Sequence, residues 1–159
     1  MARNIIDRIW RAIDDDFPAL LMAIITAMIS VDVFLRDTAG THIPNGVEIA
    51  TYAFVWCVFL GAAGASRRRD HFHVDLVQNS LTGRPRVASF VLVDLFCCAV
   101  AAMMTVSSWQ YTMRSWRRVS EGLEMPLGYF YMVFPVAFAL MALAHGRHAY
   151  RTLSRRNLP

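Results

Sequence analysis

The sequence contains no lysine, so all sixteen of its basic residues are arginines, whose guanidinium groups stay protonated at any physiological pH. Charge of both signs is scarce. Only 18% of the 159 residues are charged and 56% are hydrophobic, a balance unlike that of a soluble domain, where about 25% are charged. Cysteine is limited to Cys57, Cys97 and Cys98, each inside an apolar block, so no disulfide framework is implied. The adjacent pair reads as small apolar packing and not as a thiol-redox site. Also missing are a Gly-rich phosphate loop, a Ser/His/Asp set with a nucleophile motif, and metal-ligand spacing. No catalytic, cofactor-binding or metal-binding residue is therefore predicted, and the chain does not read as an enzyme. It has no low-complexity segment and no internal repeat, so the inverted symmetry of a complete secondary transporter is lacking.

What is present is a set of apolar blocks, each near the ~20 residues that a helix needs to cross a bilayer. They fall at about residues 17–35, 47–66, 87–113 and 125–146, which predicts an all-α membrane domain of four spans over residues 1–159. Pro18 suits the first turn of span 1, where its missing N–H costs nothing. The leading segment MARNIIDRIWRAIDDDFP carries four acids and precedes an apolar block longer than a signal h-region, so span 1 is expected to remain in the mature protein. Span 3 exceeds a perpendicular crossing, and either tilts or begins later with Asp94 at the interface. Span 4 follows the breaker pair Met125-Pro126 and ends near His145, Gly146 and Arg147.

Arginine sets the expected orientation. The segment before span 1, the loop between spans 2 and 3 and the segment after span 4 together hold twelve arginines, and the two remaining loops hold four. With both ends on one side, the positive-inside rule makes the N-terminus, the middle loop and the C-terminus cytoplasmic. Arginines in short loops between apolar blocks also fit anionic lipid headgroups, so the bilayer, and not nucleic acid, is the expected polyanionic partner.

Within the middle loop, residues 71–82 place Phe72, Val74, Leu76, Val77 and Leu81 at helical spacing among polar residues. An interfacial amphipathic helix is expected there, with an ordinary solvated loop as the alternative. Small residues line span 2 (Ala50, Ala53, Cys57, Gly61, Gly64) and span 4 (Gly128, Pro135, Ala139, Ala142, Gly146). Lipid gives little hydrophobic drive between helices, so such stripes are packing surfaces where backbones approach closely. Span 2 adds an aromatic row of Tyr52, Trp56 and Phe59, a surplus of packing surface that predicts a lateral partner.

Ionisable residues in spans are functional candidates because burying them in hydrocarbon costs at least about 2.5 kcal/mol. Asp32 and Arg36 stand one turn apart at the end of span 1, and Glu48 begins span 2 on the same side of the membrane. An interfacial salt-bridge cluster ordering that turn is the simpler reading, with an ion pathway as the rival. Asp94 is the one deep carboxylate, and no other span clearly extends it into a proton relay. His71, His73, His145 and His148 lie near the cytoplasmic edge. They keep open a haem-binding anchor of a respiratory complex, since such anchors ligate haem with histidines on facing helices.

One stretch is more specific. The run Glu48-Ile-Ala-Thr-Tyr-Ala-Phe-Val-Trp56-Cys-Val-Phe-Leu60-Gly61-Ala62-Ala63, followed by Arg67-Arg68-Arg69, His71, Val74 and Asp75, resembles the small membrane subunit of the tripartite ATP-independent periplasmic (TRAP) transporters. Arg36, Met125-Pro126-Leu127 and Phe134-Pro135 fit the same pattern, and the likeness covers about residues 17–146. Pro44-Asn45-Gly46-Val47 departs from it, where family members often carry an aromatic residue or a second acid. The resemblance implies a scaffold subunit of the bacterial inner membrane. Its implied partners are a large multi-span subunit that moves solute on a sodium gradient and a periplasmic solute-binding receptor that captures the solute, often a carboxylate. Arg36, Glu48, Trp56, Gly61, Gly64, His71, Asp75, Pro126 and Pro135 are the structural or partner-contact candidates it marks. A stand-alone exporter is a further alternative.

Overall fold

A computed structural model describes residues 16–68 and 84–155. The expected interfacial helix at 71–82, with His71 and Asp75, lies outside the described residues. The helices are α1 (Phe17–Ala39), α2 (Gly46–Arg68), α3 (Arg84–Ser115), the short α4 (Gly128–Tyr131) and α5 (Val133–Arg155). Helices α1, α2 and α3 and the continuous run Gly128–Ser154 are each long and apolar enough to cross a membrane, so the protein has four spans, as expected. Two extents differ from expectation. Residues 125–127 belong to a loop, and the last helix passes straight through His145-Gly146-Arg147 to Arg155. Gly146 does not break it because interior helical hydrogen bonds outweigh a glycine cost of about 1 kcal/mol.

The helices pack in a file in the order α1, α2, α5, α3. Helix α3 runs along α5, α5 on α2, and α2 on α1, while among the described residues α1 makes no extensive contact with any other helix. Only 11% of the most apolar window of α1 is buried, against 28% for the fourth span, so α1 presents most of its circumference to lipid or to another protein. Exposed Leu20, Ile24, Val31 and Phe34 line that outer surface. The chain end of α2, the start of α3 and the end of α5 share one face of the molecule, the terminal face. The α1–α2 and α3–α4 connections share the other, the loop face.

Small side chains make the seams. Val133 and Ala137 on α5 are fully buried, and so is Thr112 opposite them on α3. Gly128 is required where it stands, since a Cβ there would lie 2.7 Å from the Trp116 indole. Aromatic rings fill the α2 seam: Tyr52 stacks on Phe130 at 3.8 Å between centroids, and Phe59 meets Phe134 and Phe138 edge-on. The aromatic row of α2 thus faces inward. It is not spare surface.

Hydrocarbon contains no water to satisfy backbone groups, and each unsatisfied group there costs several kcal/mol. Pro135 has no N–H to give to the carbonyl of Tyr131, one turn earlier. The Thr112 hydroxyl of α3 donates to that carbonyl at 3.1 Å while also contacting the Ser108 carbonyl of its own helix at 2.8 Å. A neighbouring helix therefore fills the gap that proline opens, at the break between α4 and α5.

On the terminal face two histidines join the file. His148 Nε2 lies 3.3 Å from the Ser66 carbonyl and 3.1 Å from that of Arg67. Carbonyls only accept, so Nε2 carries the proton and caps the last turn of α2. His145 Nδ1 lies 3.1 Å from Asp94 Oδ1, tying α5 to α3.

Thr112→Val keeps the shape and removes the donor, so it should destabilise the detergent-solubilised protein by about 0.5–1.5 kcal/mol. Pro135→Ala restores a backbone N–H opposite the Tyr131 carbonyl. In the double variant the loss from Thr112→Val should shrink to near zero by thermal unfolding; an undiminished loss would show that the hydroxyl does not cap this carbonyl.

Candidate functional site

A connected polar cluster lies on the loop face, where the sequence predicted a salt-bridge group. It is built differently. Helix α1 ends at Gly40 in the left-handed region at φ +61°, and the chain returns so that the Ile43 N–H donates to Asp32 Oδ1 at 2.6 Å. Asn45, also left-handed at φ +58°, starts α2: its carbonyl accepts from Ile49 N–H and its side-chain amide donates to the Gly122 carbonyl at 2.8 Å. Asparagine tolerates this backbone region better than most residues. The Pro44-Asn45-Gly46-Val47 segment that departs from the family pattern is thus a helix start with a cross-loop tether.

Glu48 is the centre of the cluster. Its Oε1 accepts hydrogen bonds from the Ser120 hydroxyl and from Tyr52 OH, the latter at 3.1 Å. Ser120 is itself buried and accepts from Leu123 N–H at 3.2 Å. A Cβ on Gly122 would press on the Glu48 Oε2 and Asn45 Oδ1 atoms, so a larger residue there would force both side chains to shift from the positions they hold in the cluster. A bridge between Val119 and Pro126, with Ser120 N–H donating to Met125 O and Leu127 N–H to Arg118 O, presents the loop. Pro126 fits there because its own nitrogen is not needed. The result is a clamp that fastens the α1–α2 hairpin to the α3–α4 loop across the file.

Arg36 does not join the clamp. It is exposed and, among the described residues, makes no ion pair with Asp32 or Glu48; it lines a cleft of about 490 Å³ with both of them, Thr41 and His42. Asp32 Oδ1 accepts from the Ile43 amide, and the expected one-turn pair with Arg36 is not formed. Trp56 is half-buried on the aromatic side of α2, Gly64 is buried, and Pro135 sits buried at the α4–α5 break. Gly61 differs from the other small residues of α2: a Cβ there would meet nothing within 4 Å.

Ser120, Gly122 and Asn45 were not marked by the sequence, because their partner is 72 or more residues away and no local spacing carries such a contact. Asp94 and His145 were each marked, the first as a deep carboxylate and the second as a possible haem ligand, but their pairing was not. Cys57 and Cys98 donate to the carbonyls of Pro18 and Ala142, at 3.2 and 3.3 Å, in keeping with packing roles. Among the described residues no group of three or more His, Cys, Asp or Glu side chains is placed to hold a metal ion.

The described residues form a file of four candidate spans fastened at the loops, with Glu48 and Asp94 both engaged in internal bonds. The chain belongs to the DctQ family, the DctQ component of the tripartite ATP-independent periplasmic transporters, whose pattern matches residues 3–155. It is similar to the isethionate TRAP transporter permease protein DctMQ of Oleidesulfovibrio alaskensis, at 29% identity over 115 residues, 71% of this chain and 18% of that one. It is also similar to a putative TRAP transporter small permease protein of Haemophilus influenzae, at 26% identity over 113 residues, covering 69% of this chain and 70% of the other.

Substitutions should separate the clamp from its neighbour. Gly122→Ala pushes a methyl group into the carboxylate and should lower thermal stability by about 1–3 kcal/mol, within the usual range for overpacking. Arg36→Gln should change stability by less than about 0.5 kcal/mol, as for most exposed sites. The reverse order in a melting experiment would dissolve the clamp as the organising feature.

Proposed function

We propose that this chain is the small, non-catalytic subunit of a receptor-dependent secondary transporter in the bacterial inner membrane. It stands as a scaffold beside a large multi-span subunit that moves a small, carboxylate-bearing solute on a sodium gradient. The observation that carries this reading is the match to DctMQ, in which the counterpart of this chain is 18% of one longer permease. A natural fusion places the two parts side by side in the membrane. The open file agrees with it, since α1 and the outer face of α2 leave large apolar surface without an internal partner. A scaffold role also accords with the span carboxylates, because Asp94 is held by His145 and Glu48 by the clamp. A periplasmic receptor selects the solute, so solute identity is not a property of this subunit.

The haem-anchor alternative loses support at its histidines. His145 and His148 stand one turn apart on the same helix, α5, and not on facing helices, and the His148 Nε2 that a facing partner would need is spent on the end of α2.

The arginine asymmetry orients the subunit with the terminal face in the cytoplasm and the loop face in the periplasm. Reporter fusions after Arg86 and at the C-terminus should therefore read cytoplasmic, and those at Thr41 and Glu121 periplasmic; a periplasmic C-terminus would overturn the orientation. The scaffold role predicts a split among small-residue variants. Gly61→Leu adds bulk on an open face and should leave insertion at normal levels while the large subunit no longer copurifies and uptake falls. Gly64→Leu, at a buried position, should lower the amount of the subunit itself. Normal copurification and uptake with Gly61→Leu would move the interface away from this face.

A further inference from the structure

We propose that the groove between α3 and the last turns of α5 is a binding site for an anionic phospholipid, holding its phosphate and the upper part of one acyl chain. The groove has a volume of about 600 Å³. Its floor is Cys98, Ala142, Leu143 and Gly146, and its rim is Arg147, Tyr150 and Arg151. Two features of the floor keep it open and apolar. Gly146 contributes no side chain, and the Cys98 thiol, the floor's polarisable group, is turned into a bond with the Ala142 carbonyl at 3.3 Å.

Depth matches the two halves of a lipid. At ~1.5 Å per residue, Arg147 stands about 28 Å along the fourth span from Gly128, close to the ~30 Å thickness of the hydrocarbon core. Its guanidinium is therefore at headgroup level, Arg151 is one turn further out, and Leu143, 64% exposed, is one turn down among the acyl chains. Tyr150, 71% exposed, has the amphipathic ring that favours the interface.

Charge selects the headgroup. Arg147 and Arg151 are exposed, share one side of α5, and form no ion pair or hydrogen bond within the described protein. Among the described residues no carboxylate lines the groove. The loop-face cleft is the useful contrast, because there Arg36 shares the lining with two carboxylates, Asp32 and Glu48. Two uncompensated guanidiniums one turn apart suit a phosphodiester, which accepts forked N–H pairs. A soluble anion could use the rim but would gain nothing from the floor.

The test uses the full-length subunit, alone and together with whatever large membrane protein copurifies with it. Lipid binding is read by native mass spectrometry and by thermal shift with added phosphatidylglycerol, phosphatidylcholine or inorganic phosphate. Wild type should retain and be stabilised by phosphatidylglycerol, and Arg147→Gln/Arg151→Gln should weaken that binding at least tenfold while leaving phosphatidylcholine binding unchanged. Arg117→Gln/Arg118→Gln, exposed on the opposite face, should bind as wild type. Equal phosphatidylglycerol binding by the groove variant would overturn the proposal. So would an equal shift with inorganic phosphate, which would mean a free-anion site. Binding by the isolated subunit that disappears in the complex would assign the groove to a protein interface instead.

Discussion

Hydrocarbon neither hydrogen-bonds to the backbone nor pushes apolar helices together, and each feature that holds this molecule in shape answers one of those two facts. Helix formation itself answers the first. Where it fails, at Pro135, the Thr112 hydroxyl crosses the α3–α5 seam to reach the Tyr131 carbonyl. The second is answered by close approach at Ala137, Gly128 and Gly64 and by bonds at the membrane edges. Glu48 fastens the loop face and the histidines fasten the terminal face. Adhesion is thus concentrated at the two ends of the spans, where competing water makes polar bonds specific and cheap to form, and the middle relies on shape.

The span count was legible because it depends only on apolar length, and the small-residue stripes were legible because they repeat with the helix. The clamp was not. Glu48 stood out as an acid at a helix start, but the spacing offered Arg36 and Asp32 as its company, whereas the chain closes on Ser120 and Gly122. The partners differ because the chain reverses between α1 and α2: Ile43 returns onto Asp32, and Glu48, on the next helix, faces the α3–α4 loop. The aromatic row was misjudged as spare for a similar reason. Periodicity says that Tyr52 and Phe59 share a side of α2, and says nothing about which helix covers it.

A helix file has a functional consequence that a closed bundle lacks. In a bundle each helix meets two neighbours, so its outer surface is small. In this order α1 meets chiefly α2, and α3 meets chiefly α5, leaving two edge helices and two broad sides. Such a shape can lie along a larger protein over much of its length, and a fused relative shows the same sequence type built into a longer permease chain.

The two membrane faces of the file treat charge in opposite ways, and this bears on the proposed support role. On the loop face the acids Asp32 and Glu48 are absorbed into backbone and hydroxyl bonds that fix the connections relative to one another. A rigid rim of this kind suits a surface that must keep its shape while a neighbour moves. On the terminal face Arg147 and Arg151 remain exposed and uncompensated, above an apolar groove. Cations at that depth resist displacement along the membrane normal, because moving them inward strips their hydration and moving them outward separates them from phosphate. A subunit pinned in depth at one face and internally braced at the other resists both tilt and vertical shift. Those are the mechanical properties that a fixed support beside a moving transporter requires.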